Sequence, residues 1–80
     1  MTYLTVLSQL LERLQKKHEK YGLSYQERSN IWMLDRLHGE LSELECAITS
    51  EEATRKDVLE EALDVAIVAL LIADNQERGG

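Results

Sequence analysis

Four carboxylates fall in two pairs of equal spacing: Glu40 and Glu43 in "GELSEL", and Glu61 and Asp64 in "EEALDV", with 17 residues between Glu43 and Glu61. Residues three apart on a helix are neighbours on one surface, so each pair sets two carboxylates side by side. If the helices that carry them pack antiparallel, the two pairs converge. Four carboxylates in one place repel one another and raise each other's pKa unless cations sit between them. A donor set of oxygens alone, without His or Cys, suits a hard ion such as Mg2+ or Mn2+.

Asp64 is the most informative of the four. It is the one charged residue in an otherwise apolar run, residues 62–73, and its neighbours include Leu63, Val65, Ile67 and Val68. An ionised carboxylate on an apolar surface costs free energy unless it is paired, protonated or bound to a metal. The pair Glu40 and Glu43 has a plainer alternative, because a chain this rich in Glu forms E-x-x-E on solvated helix faces by chance. Asp57 and Glu60, on the same face as Glu61 and Asp64, are expected to pair with Arg55 and Lys56 or to face water.

Three helices must position these groups. Ala, Leu, Glu, Lys, Arg and Gln dominate, Pro is absent and two of the four Gly are the final residues, which makes the fold all-α. The first helix is expected over residues 2–21, with Tyr3, Leu4, Leu7, Leu10, Leu11 and Leu14 as a core-facing stripe and Gly22 as its stop. The second is expected over residues 25–48, opened by a capping box at "SYQE" or slipping to Ser29, with Leu34, Leu37, Leu41, Leu44 and Ile48 as its stripe. At 100° per residue, Glu40 lies roughly 70° and Glu43 roughly 130° from the centre of that stripe. The third is expected over residues 50–76, with Thr49 as N-cap and Glu52 completing the capping box. Short connections favour antiparallel neighbours. Residues 65–73 are apolar on every side, the pattern of a helix surrounded by others, and two helices of one chain hardly surround a third. A homodimer at least is expected, its helices completing a four-helix or larger bundle. The 80 residues form a single domain that buries only about 60% of its unfolded surface, so self-association would add burial the chain lacks.

Other residues carry weaker signals. Trp32 stacks on a base or anchors a core or interface, and the second use is the commoner for a Trp beside a Leu stripe. Lys16, Lys17 and Lys20 meet phosphates as point charges or form a solvated helix end. Arg36, one turn before Glu40, contacts phosphate or pairs with that acid. Asp35 and His38 raise the thought of a di-iron bundle, but His38 points about 160° away from Glu40 and cannot share its site. Cys46, the lone cysteine, is expected to be a small buried or half-buried side chain in a reducing, cytoplasmic setting.

The net charge of −6 argues against direct nucleic-acid binding, which needs clustered cations. It admits an anionic substrate if a divalent cation mediates the contact. The longest apolar run is about half of what a membrane span needs, and "MTYLTVLSQLLERL" has no basic region of a signal peptide, so a soluble protein is expected.

Taken together, "GELSEL" and "EEALDV" resemble the E-x-x-E then E-x-x-D signature of the MazG-like, all-α nucleoside triphosphate pyrophosphohydrolases. The resemblance covers about residues 20–74 and includes the Gly before the first Glu, the Leu after the second, the doubled Glu and the Val after Asp64. It implies hydrolysis of a nucleoside triphosphate to the monophosphate and pyrophosphate, with Mg2+ held by Glu40, Glu43, Glu61 and Asp64, one of the Glu also orienting or deprotonating the attacking water. It implies a homodimer or homotetramer in which neighbouring chains complete each site. Larger members add a helix or C-terminal segment that helps close the nucleotide pocket, whereas this sequence reaches "NQERGG" soon after the third helix. The rival reading is a non-catalytic helical bundle that dimerises through the third helix. An acidic mimic of DNA has less support, since it calls for acids spread over the surface.

Overall fold

The computed structural model describes residues 3–21 and 24–79, and every regular element among them is helical: α1 (Tyr3–Tyr21), a 3-10 turn (Ser24–Glu27), α2 (Asn30–Thr49) and α3 (Arg55–Glu77). Thr2 and Gly22 lie outside the described residues. No described helix is long and apolar enough to cross a membrane.

Two helix starts differ from those expected, and capping chemistry accounts for both. "SYQE" makes a separate turn, closed by Arg28 N donating to Tyr25 O at 3.3 Å, and α2 opens later at Asn30. Its N-cap is Ser29, whose Oγ accepts from Trp32 N at 3.1 Å. The capping box of α3 is not the expected "TSEE" but "TRKD", which starts five residues later. Thr49 stays helical as the last residue of α2 and turns its hydroxyl back to donate to Glu45 O at 2.8 Å. It is therefore not the N-cap of α3. That role falls to Thr54, which accepts from Asp57 N at 3.2 Å while Asp57 Oδ2 accepts from Thr54 N at 2.9 Å. Asp57 thus has a structural task at the start of α3, and Glu60 pairs with Lys56 at 4.0 Å.

α2 and α3 form an antiparallel hairpin. Asn75 Nδ2 donates to Tyr25 O at 3.3 Å and Gln76 Nε2 to Asn30 Oδ1 at 2.7 Å, so the end of α3 meets the start of α2. Between them Met33 and Ile67 are fully buried and Leu63 and Val68 nearly so. The buried edge of α2 runs Met33, Leu37, Glu40, Leu44, Ala47; it keeps Leu37 and Leu44 of the expected Leu stripe, of which Leu34, Leu41 and Ile48 are exposed. Met33 rotates the buried face toward Glu40.

The expected stripe of α1 is also uncovered in the single chain: Tyr3, Leu4, Leu7 and Leu11 are exposed, and only Leu10 and Leu14 are half-buried. α3 is buried along one side, while Ala69, Leu70 and Ala73 reach solvent. Cys46 is exposed rather than buried, since it lies 100° round the helix from Ala47 and 200° from Leu44. The accessible surface is 6132 Å², against about 4,900 Å² for a compact monomer of 9.2 kDa. The radius of gyration, 13.5 Å, likewise exceeds the value of about 11.6 Å for a compact chain of this length.

Candidate metal centre

The antiparallel register of α2 and α3 brings Glu40 and Glu43 opposite Glu61 and Asp64. One carboxylate oxygen from each of Glu40, Glu43 and Glu61 lies within 4.8 Å of the others. Their surroundings grade from dry to wet: Glu40 is 7% exposed, Glu61 half-buried and Glu43 exposed. Glu40 Oε1 is 3.4 Å from Arg36 Nη2, whereas Glu40 Oε2 is buried with no hydrogen-bond partner. Glu61 Oε2 is buried and unpartnered as well. Buried polar atoms are nearly always satisfied in proteins, so two carboxylate oxygens buried without a partner require an explanation.

Electrostatics reinforces the geometry. Glu40 is pushed above its ordinary value, first by burial and then by the charges of Glu43 and Asp64, with Arg36 opposing and the carboxyl of Glu43, which could bond to it only once one of the two is protonated, adding to the rise. Glu61 is also pushed up, by burial, by the neighbouring Glu43 carboxyl, which could bond to it only once one of the two is protonated, and by the charges of Glu43, Asp64 and Glu40. The site therefore has too much negative charge for its solvation. It is relieved either by taking up protons or by a cation.

Asp64 stands beside this trio without joining it. Its Oδ1 accepts from Arg13 Nε at 3.0 Å, the two side chains being 22% and 30% exposed. That ion pair accounts for a charge in the apolar run. Arg13, on α1, is the one partner that the sequence reasoning did not weigh. Its place on the flank of the α1 stripe, next to Leu14, was the available signal.

The remaining candidates divide. Arg36 belongs to the cluster through Glu40. Lys17 and Lys20, with Lys16, line a cleft between α1 and α3 that has Asp64 in its wall. Trp32 is elsewhere, about 12 Å before Glu40 along the axis of α2. It is partly exposed, 6.2 Å from Tyr25 between ring centroids, and has the Arg28 guanidinium 4.7 Å above its ring. His38 is exposed, in keeping with its expected direction away from the acids.

All three donors of the trio are hard oxygens, and Glu40 and Glu61 each carry a buried oxygen without a partner, so the residues present fit Mg2+ or Mn2+. Comparison with protein-family models, with curated proteins and with solved structures gave no match.

Proposed function

We propose that this chain is a Mg2+-dependent nucleoside triphosphate pyrophosphohydrolase that works as a homodimer or homotetramer, converting a ribo- or deoxynucleoside triphosphate to its monophosphate and pyrophosphate. The observation that carries this reading is the convergence of Glu40, Glu43 and Glu61 on one point, with buried oxygens of Glu40 and Glu61 left without partners. The signature resemblance names the reaction, and the three converging carboxylates support it.

In this reading Glu40, Glu43 and Glu61 hold the cation, and Asp64 joins them as the fourth acid. A bound cation supplies neutralisation of the triphosphate charge and acidifies water for attack on phosphorus near neutral pH. Burial fixes Glu40, with Arg36 beside one oxygen and the other buried without a partner. Glu43, the most solvated of the trio, keeps a path for water and protons. The cationic cleft beside Asp64 gives the polyphosphate a favourable approach that the net charge of −6 would otherwise oppose.

Self-association is supported by the uncovered apolar residues of α1, Tyr3, Leu4, Leu7 and Leu11, and by a groove between α1 and α3 lined by Leu11, Leu14, Leu70 and Leu71. The same surface favours the rival reading, a helical dimerisation protein whose acids bind a cation without turnover. Incubation with a panel of ribo- and deoxynucleoside triphosphates and Mg2+ separates the two. Pyrophosphate with monophosphate from the wild type, and none from Asp64→Asn at unchanged oligomer mass, supports the enzyme. No turnover with Mg2+ or Mn2+ across the panel favours the dimerisation protein.

A further inference from the structure

The Arg13 to Asp64 pair has two properties that a purely structural strut does not need. It is made through Nε at 3.0 Å, and Arg13 has no other hydrogen bond to the described residues, so its terminal Nη groups remain available to another acceptor. It also lies in the wall of the cleft between α1 and α3, whose volume of about 780 Å³ is that of a small-molecule site. Arg13, Lys16, Lys17, Lys20 and Lys56 line this cleft, five of the chain's nine Lys and Arg, against the three acids Glu12, Glu60 and Asp64. A local excess of two positive charges thus sits beside an acid cluster in a chain of net charge −6. Lys16 and Lys56 are held only loosely, at 3.9 Å from Glu12 and 4.0 Å from Glu60, and pairs so exposed contribute little.

We propose that Arg13 is an exchangeable counter-ion: it neutralises Asp64 while the acid cluster has no cation, and on arrival of a divalent cation it leaves Asp64 and turns its guanidinium to the polyphosphate in the cleft. The proposal rests on the metal reading of Glu40, Glu43 and Glu61. Its logic is competition. Arg13 holds only Oδ1 of Asp64, so the competition is one of charge: a divalent cation neutralises Asp64 and repels the guanidinium, which matches phosphate oxygens as well as it matches a carboxylate. Arg13 would then assist cation binding only indirectly, by releasing its acid, and would favour the polyanion directly.

Opposite effects on two ligands distinguish this exchange from a strut. Arg13→Gln should bind Mn2+ about three- to tenfold more tightly than wild type in the absence of nucleotide, measured by electron paramagnetic resonance. The same variant should bind inorganic tripolyphosphate, in saturating Mg2+, about three- to tenfold more weakly by calorimetry. A readout on the wild type guards against a poorly folded variant. The Arg13 Nε–H resonance, assigned by its absence in Arg13→Lys, should shift and exchange faster with solvent when Mg2+ is added. Unchanged or weaker Mn2+ binding in Arg13→Gln, with an unmoved Nε–H resonance in wild type that does bind Mn2+, overturns the exchange and leaves the metal reading standing. A wild type that binds no Mn2+ overturns both.

Discussion

Arg36 Nη2 lies 3.4 Å from Glu40 Oε1, one helical turn away, while the other oxygen of Glu40 is buried without a partner. The pair therefore neutralises half of a carboxylate and leaves the rest exposed to Glu43 and Glu61. Arg36 is about half exposed, so its side of the pair is worth at most about 1 kcal/mol. The desolvated charge of Glu40 costs more than that. Glu40→Gln is accordingly expected to melt at higher temperature than wild type at pH 7 in EDTA, and to lose the stabilisation that Mg2+ gives the wild type. Differential scanning calorimetry with and without Mg2+ checks both halves of this expectation.

The pH dependence has a definite sign. Glu40 and Glu61 have raised values in the fold, above an ordinary value of 4.5, so between that value and the raised one the folded chain holds more protons than the unfolded chain. Stability contributed by these two groups is present below the ordinary value and is lost as pH rises through the folded values. In EDTA, the melting temperature of wild type minus that of the double variant Glu40→Gln, Glu61→Gln should fall steadily as pH rises across this window. A difference that rises or stays flat contradicts the assigned electrostatics.

The capping assignment is testable by two threonines five residues apart. Thr54→Ala removes the N-cap of α3 and should cost about 1 kcal/mol. Thr49→Ala removes only an exposed back-bond to Glu45 and should stay within about 0.5 kcal/mol of wild type. Urea unfolding at one protein concentration compares them.

The centre of the α2 and α3 interface should behave as a close-packed core. Ile67→Val, at a position with no solvent exposure, is expected to cost about 0.5–1.5 kcal/mol, and Met33→Ala about 2–5 kcal/mol. Leu34→Ala, on the exposed expected stripe, should cost less than either unless a second chain covers it. Thermal melts at several protein concentrations make that distinction.

Much of this arrangement was legible in the sequence because it depends on local periodicity. Helix number, the antiparallel α2 and α3 pair and the convergence of Glu40, Glu43 and Glu61 follow from 3.6-residue spacing and short connections, whereas Asp64 stands apart with Arg13. Which of two adjacent capping boxes would close was not legible, since Thr49 and Thr54 offer the same side chain and only the hydrogen bond made decides. Nor was the exact buried edge of α2. Reading Leu34 as its start left out Met33, and with Met33 the edge turns until Glu40 lies in it. Arg13 was hidden for another reason: its partner is 51 residues away, and no spacing rule connects them.

The proposed association is testable at the uncovered surface. Size-exclusion chromatography with light scattering is expected to give a multiple of 9.2 kDa, and Leu7→Lys, on the exposed face of α1, should shift it toward a single chain.

The central claim is that Glu40, Glu43 and Glu61 form one cation site rather than a solvated acidic face, and calorimetric titration of Mn2+ into cation-free protein tests it most directly. The expected result is saturable binding at a fixed number of ions per chain, weakened at least tenfold by Glu43→Gln, which removes the most exposed and least structural member of the trio. Binding that is absent, or that is unchanged in Glu43→Gln, would contradict the claim.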